Sequence, residues 1–469
     1  MCRLGRIVVG VCVAAWGLAP RAGAASNYVV VLLDDVGVDK FAAYGEAADP
    51  PPTPTLDALA ARGVLFRNAW ATPACSPTRA AALTGRRGEL TGIGTGIPRA
   101  SLRSGEGLAT DERTLADVLR SEGYATAAIG KWHLGHDAVH PLEVGFDTHR
   151  GSNSNVGKGG YYRWRKSIDG VDQGWQTSYA TTDTADEAVR WIEAQTGPWF
   201  LWLSFNAPHL PLHSPPPRLH TRGELSGARP PLIYAAMLEA MDAELGRVVA
   251  AAGPDTTFFV MGDNGTYGVA IEPPFDSSRG KRSIYEGGVR VPLIVAGADV
   301  PVANRGTESA ALVQASDLFA TVSELAGSRA TAEDAVSFVP QLLSPSSAGR
   351  SVLYTSRFLP NGGPPQADEY ARAARDARFK LIRRQGDSRQ ELYDLGSDPF
   401  ETTNLLEEPL EPRAQAALRL LSGVIDAKQW PRSPAASRGD FGWALLVCGA
   451  FLLVGLLIAR RARGASSSS

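Results

Sequence analysis

The sequence predicts an α/β domain built on a large mixed, mostly parallel sheet flanked by helices, followed by a smaller C-terminal α+β subdomain with an antiparallel sheet. Three observations carry that prediction. Short unbroken apolar runs recur through the first part of the chain, helical patterns lie between them, and near residue 345 the alternation gives way to shorter strand-like runs. A strand in a parallel sheet is covered on both faces, so it reads as continuous hydrophobic sequence. Strand and helix in alternation then imply crossover connections.

Taken in order, residues 1–24 read as a secretory signal peptide: Arg3 and Arg6, an apolar stretch from Ile7 to Leu18, and the small residues Ala22-Gly23-Ala24. Residues 25–345 read as the main domain. In it, Tyr28 to Leu33, Ala125 to Ile129, Phe200 to Phe205, Phe258 to Met261 and Leu293 to Ala296 are expected strands. Leu56 to Arg62, Thr114 to Glu122, Asp183 to Gln195, Tyr234 to Ala252 and Leu312 to Leu325 are expected helices. Residues 346–428 read as the smaller subdomain, with strands at Val352 to Ser356, Phe379 to Arg383 and Glu391 to Tyr393 and a helix at Pro412 to Ala427. The Pro-, Ser- and Arg-rich stretch 429–440 reads as a linker. Residues 441–459 carry no charge, and as a helix they reach about 28 Å, close to a hydrocarbon core. Arg460, Arg461 and Arg463 come next in the tail 460–469, which by the positive-inside rule is cytoplasmic. The body is then exported and faces the periplasm or the cell exterior, anchored by the C-terminal helix. A sorting tail removed by a protease fits the same pattern.

The charges nearly cancel, 47 basic against 49 acidic residues, and no basic patch points to nucleic acid. Of four cysteines, Cys2 and Cys12 fall in the leader and Cys448 in the terminal apolar span, leaving the exported body with Cys75. Exported proteins meet an oxidising environment in which cysteines normally pair. A single thiol in the run Cys75-Ser76-Pro77-Thr78-Arg79 therefore points to chemistry.

The other polar motifs stand just beyond the ends of expected strands, where open α/β sheets place ligands. Asp34-Asp35 succeeds the first strand, and two adjacent buried carboxylates are costly unless a positive group separates them. Asp263-Asn264-Gly265 succeeds a later strand in the same way; alone it is also a common turn sequence. Together the four side chains form an all-oxygen set that suits Ca²⁺ or Mg²⁺ better than Zn²⁺. Gly130-Lys131-Trp132-His133-Leu134-Gly135 offers a lysine and a histidine two apart, on one side of an extended segment. His209 offers a second imidazole, and Lys281 a further cation in a glycine-flanked loop. Cation, lysines, arginine, histidines and cysteine define an anion pocket suited to sulfuryl or phosphoryl transfer. A thiolate hydrolase is the weaker reading, because sulfur matches a hard cation poorly.

In this order the motifs resemble the type I, formylglycine-dependent sulfatase family, arylsulfatase-like, of the alkaline-phosphatase-like superfamily. The run Cys75 to Arg86 is similar to the family signature, with its C-x-P-x-R core and T-G-R close. Thr53 to Asp57, Gly63 to Ala69, Glu391 to Leu395, Asp398-Pro399 and Asn404-Leu405 are similar too, so the likeness runs from about residue 27 to 425. It implies that residues 25–345 are the catalytic sulfatase domain, hydrolysing aryl or carbohydrate sulfate monoesters to alcohol and inorganic sulfate. It further implies that a formylglycine-generating enzyme oxidises Cys75 to Cα-formylglycine (3-oxoalanine), whose hydrated aldehyde is the nucleophile. One Ca²⁺ would be held by Asp34, Asp35, Asp263, Asn264 and residue 75. Arg79 and His133 would hold the gem-diol, Lys131 and Lys281 the sulfate oxygens, and His209 would protonate the leaving alcohol.

In one respect the chain departs from the family, which often has Gly-Lys-Gly where Lys281 is here succeeded by Arg282-Ser283. That leaves Arg282 available for recognising charge on the substrate. Two alternatives share the motifs: a phosphonate monoester or phosphodiester hydrolase of the same superfamily, or an inactive homologue that binds sulfated glycans with Cys75 still a thiol. Phosphoryl-transferring relatives often carry histidine beside the second metal aspartate, so Asn264 favours sulfate esters. Specificity is expected to reside in residues 136–179, 213–232 and 357–370, with Trp164 and Trp175 as candidate stacking platforms.

Overall fold

The apolar runs form the centre of a ten-stranded sheet. Its strands are β1 (Asn27–Leu33), β2 (Gly63–Trp70), β3 (Ala125–Lys131), β4 (Thr148–Ser152), β5 (Trp164–Ile168), β6 (Val171–Gln176), β7 (Trp199–Ser204), β8 (Thr256–Gly262), β9 (Leu293–Gly297) and β10 (Thr307–Gln314). They lie in the order β10-β2-β9-β8-β1-β7-β3-β4-β5-β6. β1 pairs in parallel with both β7 and β8, β3 with β7 and β4, and β2 with β10. Only β9 and β5 run against their neighbours. A second sheet has four antiparallel strands in sequence order: β11 (Leu353–Arg357), β12 (Ala371–Arg375), β13 (Phe379–Arg384) and β14 (Gln390–Asp394). The fold class read from the sequence is the one observed.

The computed structural model describes residues 26–47, 49–98, 107–135, 137–364, 366, 369–385, 389–428 and 430. The expected leader 1–24, the apolar span 441–459 and the tail 460–469 lie outside them, as do Cys2, Cys12 and Cys448. Among the described residues no helix is long and apolar enough to cross a membrane.

β1 shows why its sequence is unbroken. Val30 and Leu32 enter the core on one face of the sheet, and Val29, Val31 and Leu33 enter the core on the other. Successive side chains alternate between faces and both faces are covered. Each fully buried aliphatic side chain contributes about 1.5–3 kcal/mol of transfer free energy. Helices Leu115–Ser121 and Asp317–Leu325 pack on the first face, Ala180–Glu193 and Pro230–Ala252 on the second.

The sequence misreads the periphery. The helix expected from Leu312 begins at Asp317, because Leu312 to Gln314 pair with β2 as the end of β10. The strands β2, β4, β5, β6, β10 and β12 have no clean apolar run: Arg67 and Asn68 interrupt β2, and β6 is exposed along most of its length. Pairing and register, which are tertiary, make these segments strands.

The second sheet is held from both sides. Ala373 and Ile382 face Trp70, Ile284 and Val289 of the main body, whereas Ala374 and Leu381 face the helix Pro412–Ala427 through Leu421 and Ile425. A buried ion cluster lies at the first contact. Lys380 in β13 is 0% exposed and lies 3.1 Å from Glu286 and 2.8 Å from Glu401. Glu286 also accepts from Trp70 Nε1 at 3.1 Å and from Arg375 at 3.2 Å. Burial would raise the Glu286 carboxyl, but Lys380 and Arg375 hold it below its ordinary value; burial wins at Glu401 and pushes that carboxyl up.

Lys380→Met removes the cation that Glu286 and Glu401 share, leaving Arg375 on Glu286 alone, and is expected to cost about 3–5 kcal/mol in urea denaturation. A pH dependence is expected from His149 in β4, whose Nε2 is buried without a hydrogen-bond partner and whose pKa burial lowers to about 3. Below the ordinary histidine pKa the unfolded chain takes up a proton that the folded imidazole refuses, so stability falls as pH falls. His149→Phe is expected to flatten the pH dependence of unfolding free energy between pH 6 and 4 by about 1.4 kcal/mol per pH unit.

Candidate active site

Four adjacent parallel strands, β8, β1, β7 and β3, end at one edge of the sheet, and their register brings the segments beyond them level with one another. Leu33 is opposite Gly262, Leu32 opposite Ser204, and Ser204 opposite Gly130. Asp34-Asp35, Asp263-Asn264, Ser204 and Lys131 therefore meet in space. Gly130 permits this: a Cβ there would fall 2.0 Å from the Ser204 carbonyl oxygen, and its φ is +98°.

Asp35 turns the chain away from β1 through a left-handed backbone, φ +69°. Its N–H donates to Asp263 Oδ1 at 3.1 Å and its carbonyl accepts from Tyr234 Oη at 2.7 Å, which fixes a conformation that aspartate tolerates better than most residues. Lys131 pairs with Asp34, Lys281 with Asp35, and Arg79 with Asp263 at 2.8 Å. Asp34, Asp35, Asp263, Asn264, Arg79 and Lys131 are all at most 1% exposed. Three buried carboxylates thus stand against three buried cations. Burial alone would raise the Asp35 carboxyl, but the Lys281 ammonium and then His209 bring it below its ordinary value. Burial would lower Arg79 and Lys281, and their acidic partners raise both.

Cys75 is the first residue of the helix Cys75–Thr84, all ten residues of which are buried. Helix N-termini favour negative charge, so a nucleophile or anion placed there is stabilised. Arg79, four residues on, lies on the same helix face. Its donors go to Asp263, to Ser204 Oγ at 2.6 Å and to the Lys131 carbonyl at 3.0 Å, so it ties the helix to three strand ends.

His133 lies 3.2 Å from Cys75 Sγ through Nδ1, while its Nε2 faces the Ile97 carbonyl at 3.0 Å. A carbonyl can only accept, so Nε2 carries the hydrogen and Nδ1 presents a lone pair to residue 75. Burial, then Lys131 and Arg79, push the imidazole well below its ordinary pKa and keep it neutral. Lys131 reaches Asp34 and His133 reaches Cys75, and the segment between them is not extended throughout: His133 has φ +61°. His209 donates Nδ1–H to Leu210 O at 2.8 Å and turns Nε2 to within 3.9 Å of Asp35 Oδ2. Burial lowers its pKa against the opposing pull of Asp35.

All ten residues expected from the sequence thus meet in one site. Sequence reasoning missed Ser204, whose signal was only its place at a strand end. It also missed Ser76, which accepts from Ile97 N at 3.1 Å and donates to His133 O at 2.9 Å. A cavity of about 520 Å³ opens above Cys75 and is walled by Thr95 to Pro98, Ser154, Asn155, Arg282 and Arg357. Two of the expected specificity stretches contribute to it, through 154–157 and 357; the stretch 213–232 does not. Trp164 is buried and donates to Ser178 O at 3.0 Å, so it is a packing residue. Trp175 is 50% exposed, with Arg163 and Arg165 over its ring.

Three buried oxygens at the site, Asp34 Oδ1, Asp35 Oδ2 and Asn264 Oδ1, have no hydrogen-bond partner. Ligand atoms of Asp34, Cys75 and Asp263 lie within 4.8 Å of one another, as do those of Asp34, Asp35 and His209. Oxygen donors left unsatisfied in a dry site are what a hard divalent cation would fill.

A family profile described as Sulfatase matches residues 26–328, and one described as N-sulphoglucosamine sulphohydrolase, C-terminal, matches residues 277–422. Arylsulfatase G of Rattus norvegicus is 32% identical over 411 residues, covering 75% of this chain and 73% of the relative. The chain belongs to the sulfatase family. N-acetylgalactosamine-6-sulfatase of Sus scrofa is 31% identical over 370 residues, 70% of this sulfatase and 68% of that one. In fold, the sulfatase is similar to Ps i-CgsB in complex with k-i-k-neocarrahexaose (TM-score 0.73, 24% identity, 90% of this chain and 97% of that one). It is also similar in fold to yidJ from Bacteroides fragilis (TM-score 0.71, 20% identity, 87% and 97%). Membership makes the sulfatase a sulfuric ester hydrolase.

Arg79→Met strands Asp263 without its cation and is expected to cost about 3–5 kcal/mol of stability in urea denaturation of chelator-treated protein. Arg79→Lys is expected to recover only part of that loss, because an ammonium cannot span Asp263, Ser204 and the Lys131 carbonyl at once.

Proposed function

We propose that this sulfatase removes sulfate from a carbohydrate sulfate monoester, using residue 75 as Cα-formylglycine and one Ca²⁺ ion, on the outer side of a membrane. The observation that carries the reading is the set of orphaned oxygens of Asp34, Asp35 and Asn264 beside Cys75 at a helix N-terminus. The named relatives support a carbohydrate substrate: N-acetylgalactosamine-6-sulfatase is one of them, and the similar fold of Ps i-CgsB holds a neocarrahexaose. The cavity size suits a small ligand, and Thr95, Ser154 and Asn155 bring hydrogen-bonding side chains to its walls, as a sugar requires. Location outside the cytoplasm rests on the leader and the C-terminal apolar span of the sequence.

Three carboxylates and three basic groups nearly balance in the site. A Ca²⁺ ion held by Asp34, Asp35, Asp263, Asn264 and residue 75 would leave it net positive and draw in an anion. Residue 75 as the hydrated aldehyde would supply one hydroxyl to attack sulfur and a second to expel sulfate afterwards. The neutral His133 would take a proton from residue 75 through Nδ1, its tautomer held by the Ile97 carbonyl. Lys131 and Lys281 would hold sulfate oxygens and offset the charge that builds on them. His209 lines the cavity, and its Nδ1–H is committed to the Leu210 carbonyl, so it would protonate the departing alcohol oxygen from Nε2 as the imidazolium, the form that Asp35 and Asp34 favour, a contribution of about 10²–10⁴-fold. Arg79 would keep Asp263 and the helix start in place and lend positive charge beneath residue 75.

Intact-peptide mass across residue 75 of protein from its native host is expected to show sulfur lost and oxygen gained. That protein is expected to hydrolyse para-nitrophenyl sulfate faster than an aryl phosphonate, and Cys75→Ala to lower kcat by at least about 10³-fold. An unaltered thiol in fully active protein would overturn the reading, and faster phosphonate turnover would reassign the substrate.

A further inference from the structure

We propose that Arg282 and Arg357 form a second anion subsite at the cavity above residue 75, and that the leaving alcohol of the substrate carries a second anionic group, a carboxylate or a further sulfate ester. This rests on the sulfatase reading and specifies its substrate. Asp34, Asp35 and Asp263 already balance Lys131, Lys281 and Arg79 in the catalytic floor. Arg282 and Arg357 are additional to that balance and the cavity's lining contains no carboxylate; only Arg357 has a carboxylate nearby among the described residues, Glu369 at 3.4 Å. One sulfate ester group does not account for two further guanidinium groups.

The backbone at both arginines is fixed by its neighbours. Arg282 adjoins Lys281, which is fixed to Asp35, and its own N–H donates to the carbonyl of Pro73, two residues before Cys75, at 2.8 Å. Its backbone is left-handed, φ +74°, a conformation unusual for arginine. The side chain is exposed and has no ion-pair partner among the described residues. Arg357 comes from the other sheet, at the end of β11. The segment after it is clipped to the cavity wall: Phe358 N donates to Gly94 O at 3.3 Å, and Asn361 Oδ1 accepts from Gly94 N and Thr95 N at 2.9 and 3.1 Å. That wall approaches the nucleophile, since a Cβ on Gly96 would lie 3.9 Å from Cys75 Sγ. The ion pair of Arg357 with Glu369 is long, 3.4 Å, and its Nε is buried with no partner. Asn155 Oδ1, also at the cavity, is buried and unpartnered, an acceptor available to a sugar hydroxyl. A guanidinium fork matches a carboxylate or sulfate through two parallel hydrogen bonds.

The test uses the full chain and matched substrates: a sulfated disaccharide containing a uronate against its carboxyl-reduced form, and a disulfated saccharide against its monosulfated form. Wild type is expected to favour the more anionic member of one pair by about tenfold or more in kcat/KM, and added salt to shrink that preference. The pair that shows the preference identifies the second group. Arg282→Ala and Arg357→Ala are each expected to lower kcat/KM for the more anionic member about tenfold more than for its partner, and Arg282→Lys to restore part of the difference. Equal turnover of both members of each pair by wild type overturns the proposal. So do variants that slow both members by one common factor. Arg282 is exposed, so its variants carry the test if Arg357→Ala does not fold. Failure of the wild type on every sulfate ester, the aryl ester included, would instead count against the sulfatase reading.

Discussion

Three carboxylates buried at the ends of adjacent parallel strands are the constraint around which the rest of this molecule is arranged. Each would be too costly to keep ionised in a dry site on its own. Lys131, Lys281 and Arg79 pair with them, and each brings a different part of the chain with it: the end of β3, the loop before β9, and the helix that begins at Cys75. The ion pairs therefore fix the position of the reactive residue as well as the charge around it. They leave Asp34 Oδ1 and Asp35 Oδ2 without a hydrogen-bond partner.

Parallel pairing makes such a site possible. Because β8, β1, β7 and β3 run the same way, the four segments beyond them emerge at one edge, within reach of one another. An antiparallel arrangement would send alternate strand ends to opposite edges of the sheet. Strained backbone is concentrated at this edge, at Asp35, His133 and Arg282, where neighbouring hydrogen bonds over-determine the conformation. The second sheet docks through the cluster of Glu286, Lys380 and Glu401, and sends the end of β11 to the cavity wall. The paired charges of the candidate site thus come with the first sheet, and part of the cavity wall from the second.

Much of this was legible beforehand, for a physical reason. Central strands such as β1 are apolar on both faces, so their sequence is unambiguous, and reactive motifs come directly after them. The ten site residues could be named because each lies in a short local motif. Ser204 could not, since nothing local distinguishes a serine at a strand end, and Arg357 was reached only as the first residue of an expected specificity stretch. Trp164 illustrates the reverse error: an aromatic residue in a plausible specificity stretch is buried, with its N–H committed to Ser178.

By itself the sequence determined the alternation of strand and helix, the acidic and amide side chains that succeed two of the strands, and the run that joins Cys75 to Arg79, because these are properties of composition and near-neighbour spacing. Only the tertiary structure decided the order of ten strands, the neutral tautomer of His133 and the presence of Arg282 and Arg357 at one cavity. Those depend on pairing, burial and contacts between residues far apart in the chain, where local pattern has no hold.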